Sequence, residues 1–171
     1  MRRPVIGVMG GGKGNDRYVD SARELGRLLA ERGWIVLTGG RAEGVMAAAA
    51  AGAKQIPGSL TLGILPGAAG GEGPDVDIAV FTGMGEARNA INVLTSDVVI
   101  ACGVEGPGTV SEVALALKAA KPVILLGAPA NARQLFAAVR DHGRLFEAAA
   151  PQDVVRLLEE DLGIAREGWS R

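Results

Sequence analysis

The chain has 171 residues and 17.5 kDa, is 48% hydrophobic and 22% charged, and so predicts one soluble globular domain over residues 1–171 with a real core. Its 18 Lys and Arg against 19 Asp and Glu leave a net charge of −1, which argues against a strongly basic surface and against nucleic acid as a partner. The single Cys102 and single His142 exclude a disulfide framework, a Cys-based zinc cluster and a His-rich metal site, and the absence of a signal-like or membrane-length apolar run predicts a cytoplasmic protein with no membrane partner.

In chain order, short β-branched runs predict strands at Val5 to Met9, Trp34 to Thr38, Leu60 to Leu65, Ile78 to Phe81, Asp97 to Ala101 and Pro122 to Leu126. Helical segments are predicted at Asp16 to Glu31, Gly44 to Gln55, Gly85 to Ser96, Thr109 to Ala120, Asn131 to Arg140 and Pro151 to Asp161. Strand and helix alternate, and the strands read as apolar on both faces. This predicts an α/β fold, a single doubly wound, Rossmann-like, mostly parallel sheet with helices on both faces. The Gly/Pro-rich stretch from Pro66 to Asp77 has no helix and reads as a rim or lid.

Ligands of such sheets bind beyond the carboxyl ends of the strands. Glycines make up 26 of the residues, about twice the usual share of roughly 7%, and they cluster there. The loop after the first strand is Gly10-Gly11-Gly12-Lys13-Gly14, the loop after the second is Gly39-Gly40-Arg41 with Gly44, and the loop after the fifth runs from Gly103 to Gly108. Glycine lets backbone N–H groups turn toward an anion, and a following helix dipole adds to the attraction. The three loops predict one phosphate or polyanion site, against the plainer reading of three tight turns. Lys13 is placed to neutralise a phosphate, or is a solvated loop cation.

Two common nucleotide motifs fail. Gly7 with Gly12-Lys13 approaches a Walker A sequence, but Gly14 stands where a hydroxyl should hold magnesium, so an ATPase is not expected. The first loop is not G-x-G-x-x-G, and Thr38-Gly39 ends the second strand where an acidic residue would hold a ribose, so a nicotinamide dehydrogenase is not expected.

The run from Gly83 to Leu126, with Arg88-Asn89 nine residues before Asp97 and Gly108-Thr109-x-x-Glu112, resembles the molybdenum cofactor carrier protein-like family. That family shares a superfamily with the Lonely Guy phosphoribohydrolases, some of which carry the label lysine decarboxylase. The likeness extends to Thr38 to Met46 and Gly63 to Gly67. This sequence departs from the family in a loop one residue longer before Gly108, containing Glu105 and Pro107, and in the insertion of Ala42-Glu43.

Single residues sharpen the expectations. Thr109 to Glu112 reads as a capping box, while the resemblance implies that Glu112 acts on a ribose in the hydrolase branch; the two roles compete for one carboxylate. Ala87, Ala90, Ile91 and Leu94 are expected to form the core-facing stripe of their helix, leaving Arg88 and Asn92 off it. Arg88 opposes the dipole at a helix start, which favours a role as a bidentate phosphate clamp over that of a solvated arginine. Cys102 is expected to be a buried small hydrophobe, and His142 a helix-end residue. Lys13, Lys54, Lys118 and Lys121 sit in no pyridoxal phosphate context, so lysine decarboxylation is not expected. The helix Thr109 to Ala120 is apolar nearly all round, which predicts a homodimer or higher homo-oligomer built on it and the Gly85 to Ser96 helix, as the resemblance also implies.

Two functions follow. One is a binding or carrier protein that holds a phosphorylated small molecule, with molybdopterin cofactor or a nucleotide as the bound compound and no cofactor required. The other is a nucleoside 5′-monophosphate phosphoribohydrolase with Arg88 and Glu112 as its catalytic residues. The binding residues in either case are Gly10, Gly11, Gly12, Lys13, Gly39, Gly40, Arg88, Asn89, Gly106, Gly108 and Thr109, with no metal ligands. Arg88-Asn89 is the carrier-like form of the motif where the hydrolase branch carries Arg-Lys, which favours the carrier.

Overall fold

The computed structural model describes residues 2–12, 16–68, 75–140 and 143–165. A seven-stranded sheet, every pairing parallel, forms the middle layer of an α/β Rossmann-like fold. Its strands are β1 (Val5–Gly10), β2 (Ile35–Thr38), β3 (Thr61–Leu65), β4 (Ile78–Phe81), β5 (Val98–Cys102), β6 (Val123–Leu126) and β7 (Leu145–Ala148), in the spatial order β4-β3-β2-β1-β5-β6-β7. The helices are α1 (Val19–Glu31), α2 (Gly44–Ala53), α3 (Asn89–Thr95), α4 (Pro107–Lys118), α5 (Ala130–Val139) and α6 (Pro151–Arg156).

Side chains of a strand alternate between faces, and both faces are buried here. Ile6 and Val8 of β1 and Val98, Ile100 and Cys102 of β5 join the core under α1, α2 and α6. Val5 and Met9, with Val99 and Ala101, join the opposite core under α4 and α5. Helices α1 and α2 pack at backbone distance, because a Cβ on Gly26 would overlap the Ala49 carbonyl and one on Gly52 the Arg23 carbonyl.

Several expectations need correction. Beyond the six expected strands, Leu145–Ala148 adds a seventh beside β6, with Leu145 paired to Val123. The predicted Gly85 to Ser96 helix is a 3₁₀ turn, Gly85–Arg88, followed by α3. The last helix is regular only over Pro151–Arg156 and widens to a π-helical turn at Leu157–Asp161. Strand β4 is an edge strand with all four residues exposed, not a strand buried on both faces. No helix among the described residues is long and apolar enough to cross a membrane.

Strand order also positions the site. From β1 the chain winds outward to β4, then crosses back to β5 on the other side of β1. The loops after β1 and β5 therefore diverge into helices on opposite faces, leaving a crevice between them.

Candidate functional site

That crevice is a cleft of about 310 Å³ lined by Gly10, Gly11, Gly12, Arg41, Met46, Glu86, Arg88, Asn89, Gly106, Pro107, Gly108, Thr109 and Glu112. The first and fifth-strand loops thus share one space. The second-strand loop reaches it differently. Gly39 lies beneath Arg88, where an added Cβ would stand 2.5 Å from Nη1 and 2.9 Å from the Met46 sulfur. Gly40, at φ +70°, lines a neighbouring hollow of about 450 Å³ along β3. Lys13 and His142 lie outside the described residues.

Several of the described glycines have packing reasons. Gly10 is held by Val45, and Gly103 by the Tyr18 ring. Gly44, at φ +60°, abuts the Gly11 and Gly12 carbonyls, and the Val45 N–H donates to the Gly11 oxygen at 3.1 Å. Gly12, Gly106 and Gly108 have no such reason. None has a positive φ, and an added Cβ at each would meet no atom within 4 Å. The fold tolerates a side chain at these three cleft positions, and the sequence leaves them bare.

Helix α4 begins earlier than the sequence suggested. Gly106 is its N-cap and Pro107 its first residue, and the first intrahelical bond runs from the Val110 N–H to the Gly106 oxygen at 3.1 Å. Pro at the first helical position pre-sets the turn and has no N–H to satisfy. The Gly108 and Thr109 N–H groups precede the first i→i−4 bond and lie at the positive end of the helix dipole, beside the cleft.

This start overturns the capping box. Thr109 is the third residue of α4, not its cap, so Glu112 cannot reach back to a cap amide. Glu112 sits one turn further on and is buried. Its Oε1 accepts from Asn92 Nδ2 at 2.8 Å and stands 3.6 Å from Arg88 Nη1. Burial pushes its carboxyl above the ordinary carboxylate range, opposed by the Asn92 bond and by Arg88.

The stripe assigned to α3 holds only in part: Ile91 packs against the core and Ala90 is half-buried, but the rest of the inward face is different. Arg88, Asn89, Asn92 and Val93 face inward, whereas Ala87 is exposed and Leu94 is 63% exposed. Arg88 is only 3% exposed, and its Nε finds no hydrogen-bond partner, nor does Asn92 Oδ1. Burial works against the Arg88 charge, and Glu112 supports it. A buried guanidinium with an unmet donor is costly unless an anion completes its bonding. The residues present therefore suit a phosphate: an arginine with spare N–H groups, helix-terminal amides and bare glycines meet in one cleft.

Arg41, Glu86 and Ser111 were not among the expected binding residues. Asn89 Nδ2 donates to Ser111 Oγ at 2.9 Å, and Ser111 donates to the Gly108 oxygen at 2.7 Å, tying α3 to the first turn of α4. Glu105 does not line the cleft; it accepts from the Tyr18 hydroxyl at 3.2 Å, and the same hydroxyl lies 3.3 Å from the Gly127 oxygen. The inserted acid is thus tied to Tyr18. Cys102 is fully buried, and burial pushes its thiol up to about 12, as suits a core residue. Among the described residues no cluster of His, Cys, Asp or Glu could hold a metal ion.

Known proteins share this architecture. The molybdenum cofactor binding protein of the phototrophic bacterium Rippkaea orientalis is 48% identical, with a TM-score of 0.88 over 95% of this chain and 99% of its own. The Moco carrier protein of Chlamydomonas reinhardtii is 45% identical, with a TM-score of 0.86 over 95% and 99%. An uncharacterised protein of Archaeoglobus fulgidus is 42% identical over 129 residues, 75% of this chain and 83% of that one. Residues 3–155 match the SLOG cluster4 family, and the chain belongs to that family.

Proposed function

We propose that this chain is a binding or carrier protein for a phosphorylated small molecule, molybdenum cofactor or a nucleotide-like compound. Its phosphate is received by the Gly108 and Thr109 amides, the Gly10 to Gly12 loop and Arg88, with Asn89 bracing the turn. The observation that carries this reading is the pairing of a buried, under-bonded Arg88 with three cleft glycines that the fold does not require. The likeness to a molybdenum cofactor binding protein and a Moco carrier protein supports the class of ligand. Molybdenum cofactor carries a phosphate monoester, the group this donor set suits, and here it is cargo.

Glu112 supports a second reading. Freed from capping, its buried carboxyl lines the cleft beside Arg88, which supports a role in proton transfer to a bound ribose. One experiment separates the two. Purified protein is offered molybdenum cofactor released from a molybdoenzyme, and separately AMP, GMP and CMP. The carrier reading expects uptake of the cofactor in competition with orthophosphate and no release of free base. Steady release of free base, abolished in Glu112→Gln, establishes the hydrolase instead.

The protein is further proposed to self-associate through the outer face of α3 and α4. Leu94, 63% exposed, and Leu115, 36% exposed, on these two adjacent helices support this reading.

A further inference from the structure

Arg41 and Glu86 meet at the rim of the cleft. Arg41 leaves the loop after β2 and Glu86 the turn before α3; Nη2 of one donates to Oε1 of the other at 2.9 Å, with the side chains 51% and 68% exposed. An ion pair so open to water adds little to stability, and another anion can replace one partner at small cost. Arg41 also has a place no other described residue has, because it lines both the cleft and the hollow along β3. That hollow, at about 450 Å³, is larger than the cleft; Leu65, Pro66, Ala68 and Phe81 give it an apolar wall suited to a flat ring, and Glu43 lines it beside Arg41, which disfavours a second anion there.

We infer that Arg41 is a ligand-contacting, specificity-determining residue that exchanges Glu86 for the ligand, selecting phosphorylated compounds whose anion lies in the cleft and whose heteroaromatic ring lies in the hollow. The inference rests on the anion-binding reading of the cleft. A guanidinium suits the junction, since its edge bonds an oxyanion while its face lies against a ring. Glu86 serves as the placeholder. Both residues act electrostatically on Arg88 and Glu112, so the four side chains form one cluster of two cations and two carboxylates. Its charges balance, and displacing the Glu86 carboxylate from Arg41 turns the balance toward an incoming anion.

The test compares two probes at fixed ionic strength: orthophosphate, which fills the cleft alone, and flavin mononucleotide, which adds a heteroaromatic ring to a phosphate monoester. Wild type is expected to bind flavin mononucleotide more tightly than orthophosphate. Arg41→Ala should weaken both probes, flavin mononucleotide about thirtyfold and orthophosphate only about threefold, and Glu86→Gln should strengthen both a few-fold. Equal losses for both probes in Arg41→Ala, no loss for either, or a wild type that prefers orthophosphate overturns the inference while leaving the anion site intact. A wild type that binds neither probe overturns the inference together with the reading on which it rests. Melting temperatures of both variants, altered only at exposed side chains, check that each is folded.

Discussion

Gly39 and Arg88 compete for one space. The Cβ that Gly39 lacks would lie 2.5 Å from Arg88 Nη1 and 2.8 Å from Nη2, so the guanidinium occupies the place where any other side chain at residue 39 would begin. A residue at the end of β2 thereby sets where a side chain from the turn before α3 presents its charge. Gly39→Ala is expected to displace the tip of Arg88, the far end of a flexible side chain, at a small cost in melting temperature. Orthophosphate affinity should fall about tenfold by calorimetry. Unchanged affinity would mean that Arg88 does not bind the anion.

Gly108 offers the opposite balance of stability and function. It lies in the first turn of α4, where alanine is a somewhat better helix former, and its added Cβ would meet no atom within 4 Å. Gly108→Ala should therefore hold or raise the melting temperature while weakening orthophosphate binding, because the methyl group enters the cleft. A variant that gains stability and keeps its affinity would make Gly108 an accident of sequence.

Short β-branched runs, apolar on both faces, made the central strands legible, and the glycine loops lie where those strands end. The short β7 was missed because Leu145, Phe146 and Ala148 surround a charged Glu147, and too few β-branched residues declare a strand. The orientation of α3 was partly misread for a physical reason: the reading gave the inward face to apolar residues, and here Arg88, Asn89 and Asn92 take much of it because α4 supplies Glu112 and Ser111 to meet them. A cluster whose partners lie about 20 residues apart leaves no local pattern. The α4 boundary was misplaced because Thr109-x-x-Glu112 looks like a cap, whereas Gly106-Pro107 was the stronger start signal.

The buried carboxyl gives a pH signature. An acid held above its ordinary value in the folded state binds more protons folded than unfolded. Its contribution to stability is complete below the ordinary value of 4.5 and is lost as pH rises through the raised folded value. Glu112→Gln lacks this titration. The melting temperature of wild type minus that of Glu112→Gln should thus be largest near pH 4 and shrink toward neutrality, measured from about pH 4 to about pH 8. A difference that grows with pH would mean that Arg88 holds Glu112 ionised.

Self-association through α3 and α4 predicts that a charge placed on that face separates the copies. Leu94→Glu alters a side chain that is 63% exposed, so the fold should survive. Sedimentation should show a smaller species than wild type, with the circular dichroism spectrum unchanged. The same species for both proteins, whether one copy or several, removes this face from any assembly.

The most direct test of the central claim is native mass spectrometry of wild type and Arg88→Met, each purified from cells that make molybdenum cofactor. Methionine replaces the buried charge with an apolar side chain of similar length but leaves the buried Glu112 without its cation, so some loss of melting temperature is expected and folding is checked by circular dichroism. A phosphorylated small molecule should be bound to wild type and released on denaturation, with the affinity of Arg88→Met lowered on the order of thirtyfold, the loss of about 2 kcal/mol from one charge-assisted contact, and its occupancy therefore clearly below that of wild type. A folded Arg88→Met protein carrying the same ligand at the same occupancy, or a wild type that carries none and takes none up, would contradict the claim.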